Sequence, residues 1–371
     1  MSCFDFETID RLARCVLAPH SKRWDRDGIF PRAALKILAE HGLFGLRIAT
    51  DLGGSGASCE TLVRVIEAIA RHDAGVALTL AAHSLVCDHL RWFGTPQQQQ
   101  QYLPDLARGE KLGAWALAES GSGSDAASIR CRAEKNEDGW LLNGRKMFVT
   151  QGNWAGLYVV LARTSDERRN AVSAFLVDPA SPGVQAGPAL EKMGCRSSNT
   201  CPLSLKNVQI ADQALLGEEG RALSAALTLL DQGRIAISAL ACGLIRACLE
   251  DATRHAKRRQ QFGRPIAQFQ AIQWMLADMA TEHEAAWLLT HHAAQLADTG
   301  ASCGIAGAKA KLFSSRSAVA CADRAVQIFG GYGYLKNVAV ERYYRDAKVC
   351  EIGEGTSEIQ RLVIARDLLR E

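Results

Sequence analysis

The feature that most restricts the fold is a change of hydrophobic period that happens twice along the chain. From Asp5 to about Gly109 apolar residues recur at helical spacing, most strongly over Arg32–His41, Cys59–Arg71 and Pro96–Arg108. Near Gly113 the period shortens. Trp140–Leu142, Tyr158–Ala162, Val172–Val177 and Pro202–Ile210 then read as short strands divided by turn formers, with Asn143-Gly144 as a hairpin-type turn. From about Gly220 the helical period returns, and Leu244, Ile245, Cys248, Leu249, Ala252 and Ala256 form a wide apolar stripe. Ser357 and Gln360 fit a capping box that opens a last helix. A doubly wound sheet needs strands and helices in alternation, so this order excludes it. The expectation is an α+β, mostly α molecule. It has helices over residues 1–112, a small antiparallel β-domain over 113–218 and helices again over 219–371.

Composition narrows the partners. A net charge of +3 over 371 residues gives no ground for nucleic acid or an anionic membrane surface. The twelve cysteines (Cys3, Cys15, Cys59, Cys87 and onwards) are scattered, without the spacing of a zinc site or a disulfide framework. They read as reduced thiols of a cytoplasmic protein. Asp5, Glu7 and Asp10 stand where a signal peptide would be apolar, and the most apolar window, Gly75–Ala82, is too short to span a bilayer. No metal is expected. His283-Glu-Ala-Ala-Trp287 lacks the second histidine of a zinc-protease helix, and His291 and His292 point to different helix faces.

Four segments carry chemistry, each with a plainer alternative. In CEIGEGTSEIQ, Glu351, Glu354 and Glu358 could share a solvated helix face. Gly353 and Gly355, however, make a poor helix interior, which puts Glu354 on a turn. The loop ALAESGSGSD is either an ordinary Gly/Ser connection or a phosphate cradle. The basic run Arg254–Arg264 either complements a helix C-terminus or offers an arginine fork to a pyrophosphate. Gly330-Gly-Tyr-Gly-Tyr334 is a helix cap, or a place where backbone approaches a ligand.

Taken in order, ALAESGSGSD, QQFGRPIAQFQAIQ, AVQIFGGYGY and RDAKVCEIGEGTSEIQRLVIAR resemble the acyl-CoA dehydrogenase family, most closely its short-chain branch. The resemblance runs from the Asp51-Leu-Gly-Gly54 loop to the C-terminus. It implies an N-terminal helical domain, a central β-domain and a C-terminal four-helix bundle, assembled as a homotetramer around FAD. It makes Glu354 the base that takes the α-proton of an acyl thioester while the flavin accepts the β-hydride. A backbone N–H of the base, with Gly355 beside it, polarises the thioester carbonyl. Other branches place the base at the position of Gly233, which glycine cannot fill. By the same resemblance Leu117 and Ala118 line the flavin, and Ser124 reaches the pyrophosphate or the substrate's pantetheine arm. Phe148 and Thr150 shield the ring and bond N5, and Arg259 and Phe262 reach the FAD of a neighbouring subunit. Gln327, Gly330, Gly331, Thr356 and Glu358 border the cofactor, and Asp231 and Arg234 contact CoA.

Three departures from the family pattern stand out. Ala118 replaces a hydroxyl residue, Phe148 a tryptophan, and Gly353 the tyrosine that commonly precedes the base. Loss of that tyrosine implies a pocket for a branched, cyclic or carboxylated acyl group. The activity implied is FAD-dependent α,β-dehydrogenation of an acyl-CoA to the trans-2-enoyl-CoA, with electrons passed to an electron-transfer flavoprotein. The same chemistry on a carrier-protein thioester is the alternative. A non-catalytic binding or assembly paralogue would be marked by loss of Glu354, Thr150, Arg259 or Gln327, all of which are present.

Overall fold

The computed structural model describes residues 5–167 and 171–369; Cys3 lies outside them. Six helices come first: α1 (Phe6–Val16), α2 (Ala18–Asp27), α3 (Arg32–Glu40), α4 (Cys59–Ala70), α5 (Ala74–Phe93) and α6 (Pro96–Ala107). Their starts follow from local chemistry. Asp5, Ser58 and Asp73 accept backbone N–H groups as N-caps, and Thr95 with Gln98 closes a full capping box.

Strands β1 (Leu112–Ala116), β2 (Arg132–Asn136), β3 (Gly139–Thr150), β4 (Ala155–Arg163), β5 (Val172–Val177), β6 (Val184–Ala186), β7 (Thr200–Ile210) and β8 (Leu215–Leu216) follow. They form one sheet in the order β6-β7-β3-β2-β4-β5-β8, with β1 against β4. The sheet is not wholly antiparallel as expected, because β1 runs parallel to β4 and β2 touches β4 in parallel at Arg132–Arg163. β1 is joined to β2 by the long Gly/Ser loop and not by a hairpin, so its direction is free. The turn signal at Asn143-Gly144 is also displaced. The hairpin turns at Glu137-Asp138, between the paired Asn136 and Gly139, whereas Asn143 and Gly144 lie inside β3 at a shift of register. A Cβ on Gly144 would stand 2.7 Å from the Cys131 backbone. Glycine is there for close approach.

The chain then returns to helix. α7 (Ala222–Arg258) leads into a small hairpin of β9 (Gln260–Gln261) and β10 (Arg264–Pro265). Helices α8 (Gln270–Asp298), α9 (Gly304–Phe329), α10 (Ala339–Ile352) and α11 (Ser357–Leu368) complete it. One hydrophobic core runs unbroken from α1, α3 and α4 into α7, α8, α9 and α10. A second core joins α5 and α6 to one face of the sheet, and a third fills its other face. The sheet is thus fixed between the helical parts, and its loops are held against α7 and α10. No described helix is long and apolar enough to cross a membrane, and the described residues hold no metal-type cluster. The box expected at Ser357 and Gln360 is shifted by one residue. Thr356 caps α11 by accepting the Ile359 N–H, and Gln360 is used elsewhere.

Candidate active site

The link between α10 and α11 is a turn with two consecutive left-handed residues, Glu354 at φ 55° and Gly355 at φ 87°. Glycine takes this conformation freely, but glutamate is strained in it, and such strain collects at functional positions. Three contacts hold it. Gln360 Nε2 donates to the Glu354 and Gly355 carbonyls at 3.3 and 2.9 Å. The fully buried Lys311 of α9 donates to the Gly355 carbonyl at 2.6 Å. With both carbonyls engaged, the Glu354 N–H has no acceptor among the described residues.

The carboxylate itself faces α7. Glu354 as a residue is half-buried, but its Oε2 is sealed from solvent and lacks a hydrogen-bond partner. A Cβ built on Gly233 would fall 2.4 Å from that oxygen. The two positions to which the resemblance assigns a base therefore address one point. Burial pushes the Glu354 carboxyl up to about 6, against the pull of Arg234 and Lys311. Arg234, also buried, pairs with Asp231 at 2.7 Å, and its Nε is left without a partner. Burial raises the Asp231 carboxyl, and Arg234 partly offsets this.

The ALAESGSGSD loop is tied down by a buried ion pair. Lys146 Nζ reaches Glu119 at 2.7 Å and the Leu117 carbonyl at 3.0 Å, and Glu119 accepts the Arg130 and Cys131 N–H groups. The Ala118 carbonyl takes the Met147 N–H at 2.8 Å. Between Lys146 and Val149 the ladder of β3 and β7 is interrupted, and Phe148, at φ 57°, is turned outward with 62% of its surface exposed. Thr150 lies half-buried opposite Thr200, and Ser124 is exposed. Gln151 beyond them is fully buried, with its N–H on the Asn199 carbonyl and its Nε2 on Gly113.

A second locus forms where α7 ends. Phe262 (φ 50°) and Gly263 (φ 76°) are the two-residue turn of the small hairpin, both left-handed as that turn type requires. The Phe262 ring is 92% exposed. Arg259, Phe262, Gly330 and Gly331 line one cavity of about 560 Å³. His255 stacks on Phe329 at 4.0 Å there, and the Arg259 guanidinium lies 5.3 Å from the Tyr332 ring. Gln327 is exposed at the end of α9. Glu358 is an exposed group beside Arg361, and Glu351 pairs with Lys348. Neither shares the enclosure of Glu354.

Lys311, Gln151 and the Glu119–Lys146 pair were not singled out by the motifs, and Gln360 was singled out only as part of a helix cap. A signal existed for Lys311, because it sits on the stripe of Gly307, Ala308, Ser314, Ser315 and Ala318, all buried. A charge on a buried stripe needs a partner.

A sealed carboxylate between α7 and the α10–α11 turn, and a separate cavity bordered by Arg259, Gly330 and Gly331, are the two features a function has to use. Comparison with known proteins gives the family. Residues 6–110, 114–208 and 220–369 match, in order, the N-terminal, middle and C-terminal domains of acyl-CoA dehydrogenase. The chain belongs to the acyl-CoA dehydrogenase family, flavin-dependent oxidoreductases acting on CH–CH groups. It is 44% identical to an acyl-CoA dehydrogenase of Bacillus subtilis (strain 168) over 96% of this chain and 95% of that one. The solved butyryl-CoA dehydrogenase of Megasphaera elsdenii superposes with a TM-score of 0.96 at 37% identity, covering 100% of both chains. The prolyl acyl carrier protein oxidase AnaB superposes with a TM-score of 0.94 at 30% identity, covering 98% of both.

Proposed function

We propose that the protein dehydrogenates a short acyl-CoA thioester between C2 and C3 to the trans-2-enoyl-CoA, with Glu354 as the base. The observation that carries this is the Glu354 carboxylate, sealed against Gly233 with Oε2 unpartnered. An α-proton beside a thioester is weakly acidic, so its removal needs a carboxylate stripped of water and raised in basicity. Burial supplies both. The free Glu354 N–H is placed to receive the thioester oxygen, on which charge builds as the proton leaves. Asp231 and Arg234, paired one turn apart on α7 with Gly233 between them, suit the polar pantetheine arm.

The residues fit FAD. Phe148 offers an exposed apolar face for a ring, with Thr150 two residues on and the Leu117–Ala118 backbone fixed behind it. Arg259 and the backbone of Gly330 and Gly331 suit a pyrophosphate and its adenosine. When bound, the flavin supplies the acceptor for the β-hydride and releases the electrons to an electron-transfer flavoprotein. The exposed Phe262 fits reaching a neighbouring copy in a homotetramer. The likeness to a carrier-protein oxidase supports a second reading, in which the same arm is presented by a carrier.

Gly353 bears on the acyl group. Its backbone is ordinary, at φ −65°, and a Cβ there would meet nothing nearer than the Val349 carbonyl at 3.4 Å. Glycine is therefore not required by conformation, and what it provides is space. This favours a branched, cyclic or carboxylated acyl chain.

The test is anaerobic titration of the holoprotein with a panel of acyl-CoAs while the flavin absorbance is followed. Bleaching by a bulky short thioester is expected. A yellow protein bleached by no acyl-CoA but by a carrier-bound acyl group would replace the first reading with the second.

A further inference from the structure

Two side chains hold the base turn, and only one is charged. Gln360 already reaches both carbonyls of the turn, at 3.3 and 2.9 Å. Lys311 adds a second donor to the Gly355 oxygen. A neutral donor would satisfy that oxygen. Burying an ammonium group completely is far more costly than burying an amide, and such a charge persists only where an opposite charge or several acceptors answer it. Among the described residues the Lys311 ammonium donates to a neutral carbonyl, that of Gly355. What answers its charge is the surrounding field: Glu354 and Glu351 face it from the turn and α10, the neighbouring Cys350 thiol is kept neutral by burial, and Arg234 opposes it from α7. Glu354 in turn is faced by two cations, Arg234 and Lys311. Arg234 is committed to Asp231 at 2.7 Å. Lys311 is the cation whose hydrogen bond ends on the turn itself.

Resting on the assignment of Glu354 as base, we propose that Lys311 is a positioning residue for the reaction. It fixes the Glu354–Gly355 turn through the Gly355 carbonyl, and its charge keeps the neighbouring carboxylate ionised and ready to accept a proton. The two roles are joined by geometry. A group bonded to the residue after the base cannot move without moving the base, and its charge is fixed beside a carboxylate that has little water to screen it. Burial alone would drive the carboxyl towards its protonated form, in which it cannot act. A cation behind the turn limits that drift without lying in the path of the substrate. Burial also lowers the Lys311 ammonium to about 8, so between about 6 and about 8 it is charged while Glu354 is ionised.

The test uses the flavin-loaded protein and rapid anaerobic mixing with the best thioester from the panel, over a range of pH. Lys311→Met should slow flavin bleaching on the order of 10²-fold at neutral pH. It should also move the acid limb of the rate profile up by about one pH unit. Binding of the enoyl-CoA product, which asks nothing of the base, should stay within about 2-fold, because no contact with the arm is lost. Lys311→Arg should return the limb to its original place. Lys311→Gln, which keeps a donor and removes the charge, should show the same shift of limb with a smaller loss of rate, and serves if the Met variant does not fold. A folded, yellow neutral variant whose acid limb stays in place would overturn the proposal. Glu354→Gln is run beside them. If it bleaches at the wild-type rate, the base assignment fails and Lys311 falls with it; if it is inert while the limb of the neutral variants is unmoved, Lys311 alone falls.

Discussion

The turn that carries Glu354 and the hairpin that carries Phe262 use one backbone device for opposite ends. Each places a non-glycine residue in the left-handed region beside a glycine, at φ 55° and 50°. At Glu354 the strain turns a carboxylate inward, and α7, α9 and α11 supply the groups around it. At Phe262 it turns an aromatic ring outward, 92% exposed, in the cavity it shares with Tyr332, which is 53% exposed. The first region closes its groups against one another, and the second leaves its ring open to solvent. In the proposed reading, chemistry belongs to a single protomer, whereas holding the cofactor is shared with a neighbour.

Substitutions on the two sides should therefore fail in different ways. The largest effect is expected of Glu354→Gln, which should retain FAD and lose flavin reduction by substrate on the order of 10⁴-fold, the upper range for a general base. Single-turnover mixing measures it, and substantial residual reduction would place the base elsewhere. Next comes Arg259→Ala, which should weaken FAD retention on the order of 10²-fold, the scale of a lost charge-assisted hydrogen bond. The rate per bound flavin should stay close to wild type. If Arg259→Ala instead lowered the rate at full flavin occupancy, the division between the two regions would be wrong.

The sequence made one of these regions far more legible than the other. Paired glycines around Glu354 exclude a helix interior, and the turn is where that argument puts it. Period alone located α3, α4, α6 and the strands around Tyr158 and Val172. What period could not supply was strand direction, since β1 pairs with a strand distant in sequence. Nor could it separate Asn-Gly as a turn from Asn-Gly as a bulge, because that choice depends on Cys131 crossing close to Gly144. The partners of Lys311 and Lys146 were hidden for the same reason. Their acceptors, Gly355, Leu117 and Glu119, lie tens of residues away and become neighbours only in the fold.

Within the base region the comparison can be sharpened at Gly353, where a Cβ would meet nothing nearer than the Val349 carbonyl at 3.4 Å. Gly353→Tyr should leave the fold and the FAD intact. It should depress turnover of a branched or carboxylated thioester roughly 10-fold more than that of butyryl-CoA, the discrimination expected of a few buried carbons. Relative kcat/KM values for the two substrates read it out. Equal losses would mean that the side chain disturbs the turn and leaves the acyl pocket unchanged.

The smallest effect concerns stability, and its sign separates a working carboxylate from a structural one. A carboxylate used as a structural anchor is held below its ordinary value and adds stability as pH rises. Glu354 is raised instead, from 4.5 to about 6, by burial. The native protein thus binds this proton more tightly than the unfolded chain. Its contribution to stability is fully present below about 4.5 and is lost as pH rises through about 6. At pH 8 the ionised group costs about 1–2 kcal/mol relative to an unburied carboxylate. Glu354→Gln removes that cost, so the inactive variant should be the more stable protein at pH 8, and its advantage should shrink towards pH 5. Urea unfolding of both proteins at matched flavin loading and protein concentration measures the difference. An advantage that does not vary with pH would mean that the carboxylate is not desolvated, and the argument for its basicity would go with it.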